Sequence, residues 1–373
     1  MESIQRIREY FPIVEEKKIF LNHAASSPLC KPAVEAIQTY LESRIFQREH
    51  GFHLYQAREL FAQLIKAEGE EIALVPNAST GLSIVANILD YPNGSNVVTA
   101  DLEFPTVIYP WLRKKLNVRY VQNVNGELRL QDFEKAVDDQ TVAVVLSHVE
   151  YANGFRNDLR AIAEIAHQHG AFLVVDACQS AGVLNIDVKR DDVDFLTSSC
   201  YKWLLGPCGA GFLYVRKDLI NEAEPAYVGW LGVKREIFKT TDLWDNTELR
   251  LSETARRFET GTPSIISFVG AAAALAMILN IGVKNIESRV IDLTNYLIDR
   301  LKEEGYELQT AENPDHRSGI VNFKIRNPMK MVYKLYQLGI FVSARMNGIR
   351  VSPHFYNTEE ELDTFLSNLR KLS

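Results

Sequence analysis

Short β-branched runs recur through the first part of the chain: IALV at 72–75, NVVT at 96–99, RYVQNV at 119–124, VAVVLS at 142–147, FLVVDA at 172–177, FLTSS at 195–199 and GFLYVR at 211–216. Such apolar runs predict strands buried on both faces, and the amphipathic stretches between them predict the helices that cover those faces. LRAIAEIAHQHG at 159–170 is one, closing on the glycine expected just past a helix end. The rhythm predicts an α/β fold with a mostly parallel seven-stranded sheet. The last two runs are joined by a Gly/Pro-rich link too short for a crossover helix, so one strand is expected to run antiparallel. Beyond residue 264 the pattern changes to long helices, the short strands GIVNFKI and GIRVS, and a final helix. The expected organisation is an N-terminal segment over 1–20 packing with the small domain, a large domain over 21–284 and a smaller C-terminal α/β domain over 285–373. IISFVGAAAALAMIL at 265–279 is apolar for 15 residues, too short and Ala-rich for a membrane span, and predicts a buried helix.

Composition narrows the class. The 373 residues are 46% hydrophobic and 24% charged, with 41 Lys and Arg against 48 Asp and Glu, a formal charge of −7. That balance, without a cluster of basic residues, argues against nucleic acid as a partner. Four cysteines lack the C-x-x-C spacing of zinc sites and redox pairs, so no metal is expected and the thiols read as reduced. The mixed, charged start MESIQRIREYFPIVEEKK has no apolar signal region. A soluble, cytoplasmic protein is expected, without membrane contact.

In open α/β sheets, ligands sit beyond the carboxyl ends of the strands, which gives polar residues there functional weight. Asn77-Ala78-Ser79-Thr80-Gly81 follows the first run and opens a helix. Its free N–H groups and the Ser79 and Thr80 hydroxyls suit a phosphate, the alternative being N-capping by Ser79 or Thr80. Asp176 leaves a strand after four apolar residues, where a carboxylate needs a cationic or strongly donating partner. In SSCYKWLLGPCGAG at 198–211, Lys202 lies beyond a neighbouring strand end beside Ser199 and Tyr201, and FETGTPS at 258–264 adds Thr262. A lysine amine, a carboxylate and phosphate donors match the needs of pyridoxal 5'-phosphate (PLP): an amine for its aldehyde, an anion for its ring nitrogen and a phosphate cradle.

The same residues resemble the class V aminotransferases of the fold-type I PLP-dependent enzymes, which include cysteine desulfurases and isopenicillin N epimerase-like proteins. The likeness runs in order through LNHAASSPL, NASTG, EFPTVIYPW, VVDACQSAG, SCYKWLLGPCGAG, RFETGTP and GIRVSPHFYNTEEEL. It implies that Lys202 forms the Schiff base, Asp176 faces the pyridinium nitrogen, Gln179 bonds the ring hydroxyl, and Ser79, Thr80, Ser199 and Tyr201 contact the phosphate. It also implies a homodimer in which Thr262 reaches the second subunit's site. Arg350 matches the arginine that grips a substrate carboxylate, with Arg345 a second candidate, and His23 and Asn153 match positions lining the substrate pocket.

Several positions depart from the desulfurase pattern. Phe104 stands where the desulfurases stack a histidine on the ring, and Tyr201 replaces the commoner histidine before the lysine. No cysteine follows Cys208, and SARMNGIRVS is shorter than the loop that carries the desulfurase thiol. The expected activity is that of a PLP-dependent enzyme on a small amino acid or amine, with amino-group transfer favoured. A C–S or β-lyase without the persulfide cysteine, or an epimerase, is the alternative, and a non-catalytic protein of the same fold a distant one. A nucleotide-dependent oxidoreductase is disfavoured because no G-x-G-x-x-G follows an early strand.

Overall fold

The computed structural model describes residues 4–46, 53–234 and 248–372. A seven-stranded sheet organises the large domain: β2 (Ile72–Val75), β3 (Asn96–Ala100), β4 (Asn117–Val121), β5 (Thr141–Ser147), β6 (Phe172–Asp176), β7 (Phe195–Ser199) and β8 (Gly211–Val215), in the order β2-β8-β7-β6-β5-β3-β4. β8 pairs antiparallel with both neighbours while the other pairings are parallel. The short link after β7 therefore does what its length dictates. The first strand in chain order, β1 (Ile19–Phe20), lies outside this sheet.

Side-chain alternation places two apolar layers on the sheet. In β5 and β6, Ala143, Val145 and Val174 join one core while Val144, Leu146, Leu173 and Val175 join the other. Burial on both faces is why these strands read as continuous apolar runs. β4 departs from its expected span, starting at Asn117 and ending at Val121. Asn123 is instead drawn to the loop after β3, where its backbone N–H and side-chain amide both donate to Asp101.

The apolar stretch after residue 264 forms the helix Ile265–Ile281, most of it buried against the helices Lys31–Ile45 and His53–Ile65. It bends by 80° into the helix Val283–Glu303, and among the described residues no single helix is long and apolar enough to cross a membrane.

The C-terminal region holds β9 (Val321–Lys324), β10 (Ile340–Phe341), β11 (Ser343–Arg345) and β12 (Gly348–Val351), with sheet order β11-β12-β9. Leu293, Leu297, Phe323, Ile349, Phe365 and Leu369 form its own core. The N-terminal segment is tied to it: β1 pairs in parallel with β10, and the Arg8 guanidinium meets Glu361 at 2.7 Å.

One glycine sets the height of a helix over the sheet. A Cβ at Gly81 would lie 2.3 Å from Thr197 Oγ1, so only glycine lets the helix Ala78–Ile88 approach β7 this closely. The first turn of that helix is thereby brought to the end of β7.

Candidate active site

β6 and β7 are parallel neighbours, so their carboxyl ends open on the same side of the sheet. Asp176 ends β6 and is buried, its Oδ1 accepting the Cys178 N–H at 2.8 Å. Burial raises its carboxyl above the usual range, against the pull of that N–H and of the Lys202 charge. It makes no ion pair among the described residues. Such a carboxylate is short of a cationic partner.

Lys202 projects from the turn after β7. Its ammonium stands 5.7 Å from the Phe104 ring centroid and 5.7 Å from that of Tyr201. The turn is held by the Leu205 N–H on the Lys202 carbonyl at 3.0 Å, with Leu205 fully buried at a φ of 57°. A leucine in the left-handed region is strained, and strain of this kind persists where packing over-determines it. Trp203, also buried, donates its indole N–H to Gln179 Oε1 at 2.8 Å, and Gln179 Nε2 donates to the Ala24 carbonyl at 3.0 Å. Gln179 is thus locked in orientation with one amide hydrogen uncommitted.

The phosphate candidates gather at the helix Ala78–Ile88. Its cap is Asn77, not Ser79 or Thr80: Asn77 Oδ1 accepts from the Thr80 N–H at 2.9 Å and the Thr80 hydroxyl at 3.1 Å. An Asn at this position offers a carbonyl oxygen at the right reach for the third N–H, a signal already present in the sequence beside the two hydroxyls. Ser199 Oγ accepts the Ala78 N–H at 2.9 Å, which joins β7 to the helix, and Ser79 Oγ accepts from Thr106 Oγ1 at 2.6 Å. Thr262 lines a cavity of about 490 Å³ together with Thr80, Ser83 and Tyr227. A larger one, about 630 Å³, lies away from Lys202 between His148, Arg156, Arg190, Lys284 and Arg317. Of the 226–238 loop, residues 235–238 lie outside the described residues.

Phe104 is 43% exposed, leaving a ring face open beside Lys202 while its edge meets Tyr151 at 5.3 Å. The Tyr151 carbonyl accepts from Arg350 Nη1 at 2.6 Å, and Arg350 Nε donates to Ser343 Oγ at 3.1 Å. Arg350 is buried, its Nη2 has no partner, and no carboxylate on the last helix or elsewhere among the described residues neutralises it. Burial and the neighbouring Arg345 charge pull it down to about 9. A guanidinium so placed lacks an anion.

His23 and Asn153, expected along the substrate pocket, are committed inside the fold. The His23 ring nitrogens meet the Ser352 carbonyl at 2.8 Å and the Tyr356 hydroxyl at 2.9 Å, and burial holds the ring neutral. Asn153 Nδ2 donates to the Gly126 carbonyl at 2.7 Å and its Oδ1 accepts the Phe155 N–H at 3.1 Å. Both His23 ring nitrogens are engaged, while Asn153 keeps one amide hydrogen uncommitted.

Sequence reasoning missed a buried acid beside the site. Glu103 accepts from the Ser147 N–H and, at 2.7 Å, from the Ser147 hydroxyl. Burial, with the nearby Asp176 charge, pushes it up to about 8, and Glu150 is likewise raised by burial and by Glu103. Glu103 therefore holds its proton near neutral pH, and burial raises both Glu150 and Asp176 in the same direction. Glu103 was visible only as the residue before Phe104, since its partner lies 44 positions away.

The Aminotransferase class-V family pattern matches residues 19–365. The chain belongs to this family. It is 35% identical over 96% of its length to an uncharacterized aminotransferase, YcbU, of Bacillus subtilis, covering 95% of that protein. It is 30% identical to a probable cysteine desulfurase of Pyrococcus abyssi, with 100% of this chain and 98% of that one covered. The class V fold is likewise that of the apo cysteine desulfurase from Thermococcus onnurineus, with a TM-score of 0.87 at 30% identity over 100% of this chain and 98% of that one. A C-DES mutant with glycine covalently linked to its PLP cofactor shares the fold at a TM-score of 0.87 and 24% identity, with 97% and 98% covered.

Proposed function

We propose that this chain is a PLP-dependent enzyme acting on an amino acid or amine, with amino-group transfer as its reaction. What carries the reading is the convergence of Lys202 and the unpaired, buried Asp176 from adjacent strand ends, with the Lys202 ammonium 5.7 Å from the Phe104 ring centroid. The residues fit the cofactor: Asp176 lacks a cation, Gln179 keeps one donor, and the helix Ala78–Ile88 presents its first turn alongside Ser199. Bound there, PLP supplies an aldehyde for the lysine amine and a protonated ring that accepts electrons.

Lys202 Nζ then moves the proton at the substrate α-carbon, as general base and acid. Asp176 holds the proton on the ring nitrogen, a role that requires it to stay anionic while Glu103 and Glu150 stay protonated. Phe104 would stack on the cofactor ring and shield it from water. Arg350 offers Nη2 to the substrate carboxylate, a task for a planar, bidentate donor. A homodimer in which Thr262 serves the second subunit's site completes the proposal.

A C–S or β-lyase is the second reading, favoured by the 30% identity to a probable cysteine desulfurase. It begins with the same proton abstraction, and so does epimerisation. Borohydride reduction of cofactor-loaded protein and peptide mapping should place the label on Lys202. A label elsewhere refutes the assignment. An amino-acid panel run with and without a keto acid separates the reactions: acceptor-dependent product marks transfer, pyruvate or sulfide without acceptor marks a lyase, and inverted substrate marks an epimerase.

A further inference from the structure

The small-domain sheet bears on the substrate's side chain. In β11 and β12, Ser343 opposes Arg350 and Arg345 opposes Gly348. Across β12 and β9, Arg350 opposes Asn322 and Gly348 opposes Lys324. Cross-strand partners, and residues two apart on one strand, share a face. Lys324, Arg345 and Arg350 therefore stand on one face with Ser343 and Asn322, while Val321, Phe323, Ile349 and Val351 fill the core behind it.

Lys324 is neutralised by Glu307 at 2.5 Å. The two arginines are not. Arg350 bonds only Ser343 Oγ and the Tyr151 carbonyl, and Arg345 Nη1 donates to the Ala344 carbonyl at 2.7 Å, so neither meets a carboxylate among the described residues. Like charges on a diagonal of one sheet face oppose folding, and the structure keeps this pair without an internal anion.

The hairpin also fixes where Arg345 stands. Met346 and Asn347, at φ 50° and 57°, form a two-residue turn of the type that closes tight hairpins. A Cβ at Gly348 would lie 2.3 Å from the Phe323 carbonyl oxygen, so β12 is pressed against β9 and no side chain opposes Arg345. Asn322 Nδ2 donates to the Ala152 carbonyl at 2.7 Å and the Arg345 carbonyl at 3.2 Å, binding the hairpin to the Tyr151–Ala152 stretch that touches Phe104. The strands bearing both arginines are thus tied to the Tyr151–Ala152 stretch, and the Arg345 charge lies close enough to act on Arg350.

We infer that the substrate is an amino acid with a second acidic group on its side chain, a dicarboxylic or sulfinic amino acid, whose α-carboxylate meets Arg350 and whose side-chain acid meets Arg345. This rests on the reading that the site binds an amino acid. Two anions against two unpaired cations restore the charge balance that the protein leaves open.

Calorimetric titration of cofactor-loaded protein with succinate and glutarate, against propionate and butyrate, reads the second charge without turnover. The dicarboxylates should bind roughly 30-fold tighter or more. That preference should collapse in Arg345→Gln and persist in Lys324→Gln, a control on the same face whose charge is already paired. In parallel, the ratio of kcat/KM for aspartate or glutamate over alanine should fall by a similar factor in Arg345→Gln. Equal binding of mono- and dicarboxylates, or a preference that survives Arg345→Gln, overturns the inference, as does wild-type protein that turns over neutral amino acids only. That last result leaves the cofactor reading standing. Dicarboxylate preference in a protein that never yields a reduced label on Lys202 has the reverse meaning: the two-anion site holds and the cofactor reading falls.

Discussion

Replacing Arg350 with methionine separates a ligand-facing cation from a structural one. A buried guanidinium drawn from its ordinary range down to about 9 keeps its charge at neutral pH at a cost of up to about 5 kcal/mol, at ~1.4 kcal/mol per tenfold. Against this, the variant leaves Ser343 Oγ and the Tyr151 carbonyl without their donor, roughly 1–3 kcal/mol each. The balance predicts that Arg350→Met falls between about 1 kcal/mol less stable and about 3 kcal/mol more stable than the parent. Arg58 provides the contrast. It is equally buried but paired with buried Glu259 at 2.6 Å, so Arg58→Met strands a carboxylate and should cost about 3–5 kcal/mol. Urea denaturation followed by tryptophan fluorescence, without added amino acid, reads both variants. Binding of amino acids to Arg350→Met should fall by about 100-fold, a charged hydrogen-bonded contact being worth a few kcal/mol. If Arg350→Met is destabilised as much as Arg58→Met, the charge serves the fold and the argument for a substrate carboxylate fails.

Three further outcomes follow from the same structure. Lys202→Ala should abolish borohydride-stable labelling at 202 while the far-ultraviolet circular dichroism is unchanged, because Lys202 makes no ion pair among the described residues; persistence of the label refutes its role. Glu103, raised from 4.5 to about 8, holds in the folded state a proton that the unfolded chain sheds, so its stabilising contribution is complete below about pH 4.5 and is lost as pH rises toward 8. Glu103→Gln should therefore melt with the parent at pH 4 and above it at pH 8.5, and a constant difference across that range contradicts the assignment. Gly81→Ala should lower stability by roughly 1–3 kcal/mol through overpacking, since Thr197 Oγ1 is tied to the Phe212 carbonyl at 3.0 Å and cannot swing aside; an unchanged melting temperature would show the helix free to lift.

The sheet was legible because its strands are buried on both faces, which forces contiguous β-branched runs with little ambiguity. The antiparallel β8 was legible for another reason: a link of Gly and Pro is too short to cross over. Lys202, Asp176 and Ser199 could be placed at strand ends from local pattern alone. Asn77 shows the limit of that approach, because hydroxyl and amide caps compete at a helix start and only backbone geometry decides between them. His23 and Asn153 show another limit. Their polar atoms are satisfied by Ser352, Tyr356 and Gly126, distant in sequence, and no short motif announces such partners. The acid pair Glu103 and Glu150 arises the same way, from strand ends that meet only after the sheet is assembled.

The Met346–Asn347 turn limits what this hairpin can carry. With Arg345 directly facing Gly348, the ribbon has no slack from which a tethered carrier could swing between the reaction centre and the surface. Should sulfur be released by this protein, no thiol on this hairpin could carry it, since no cysteine follows Cys208.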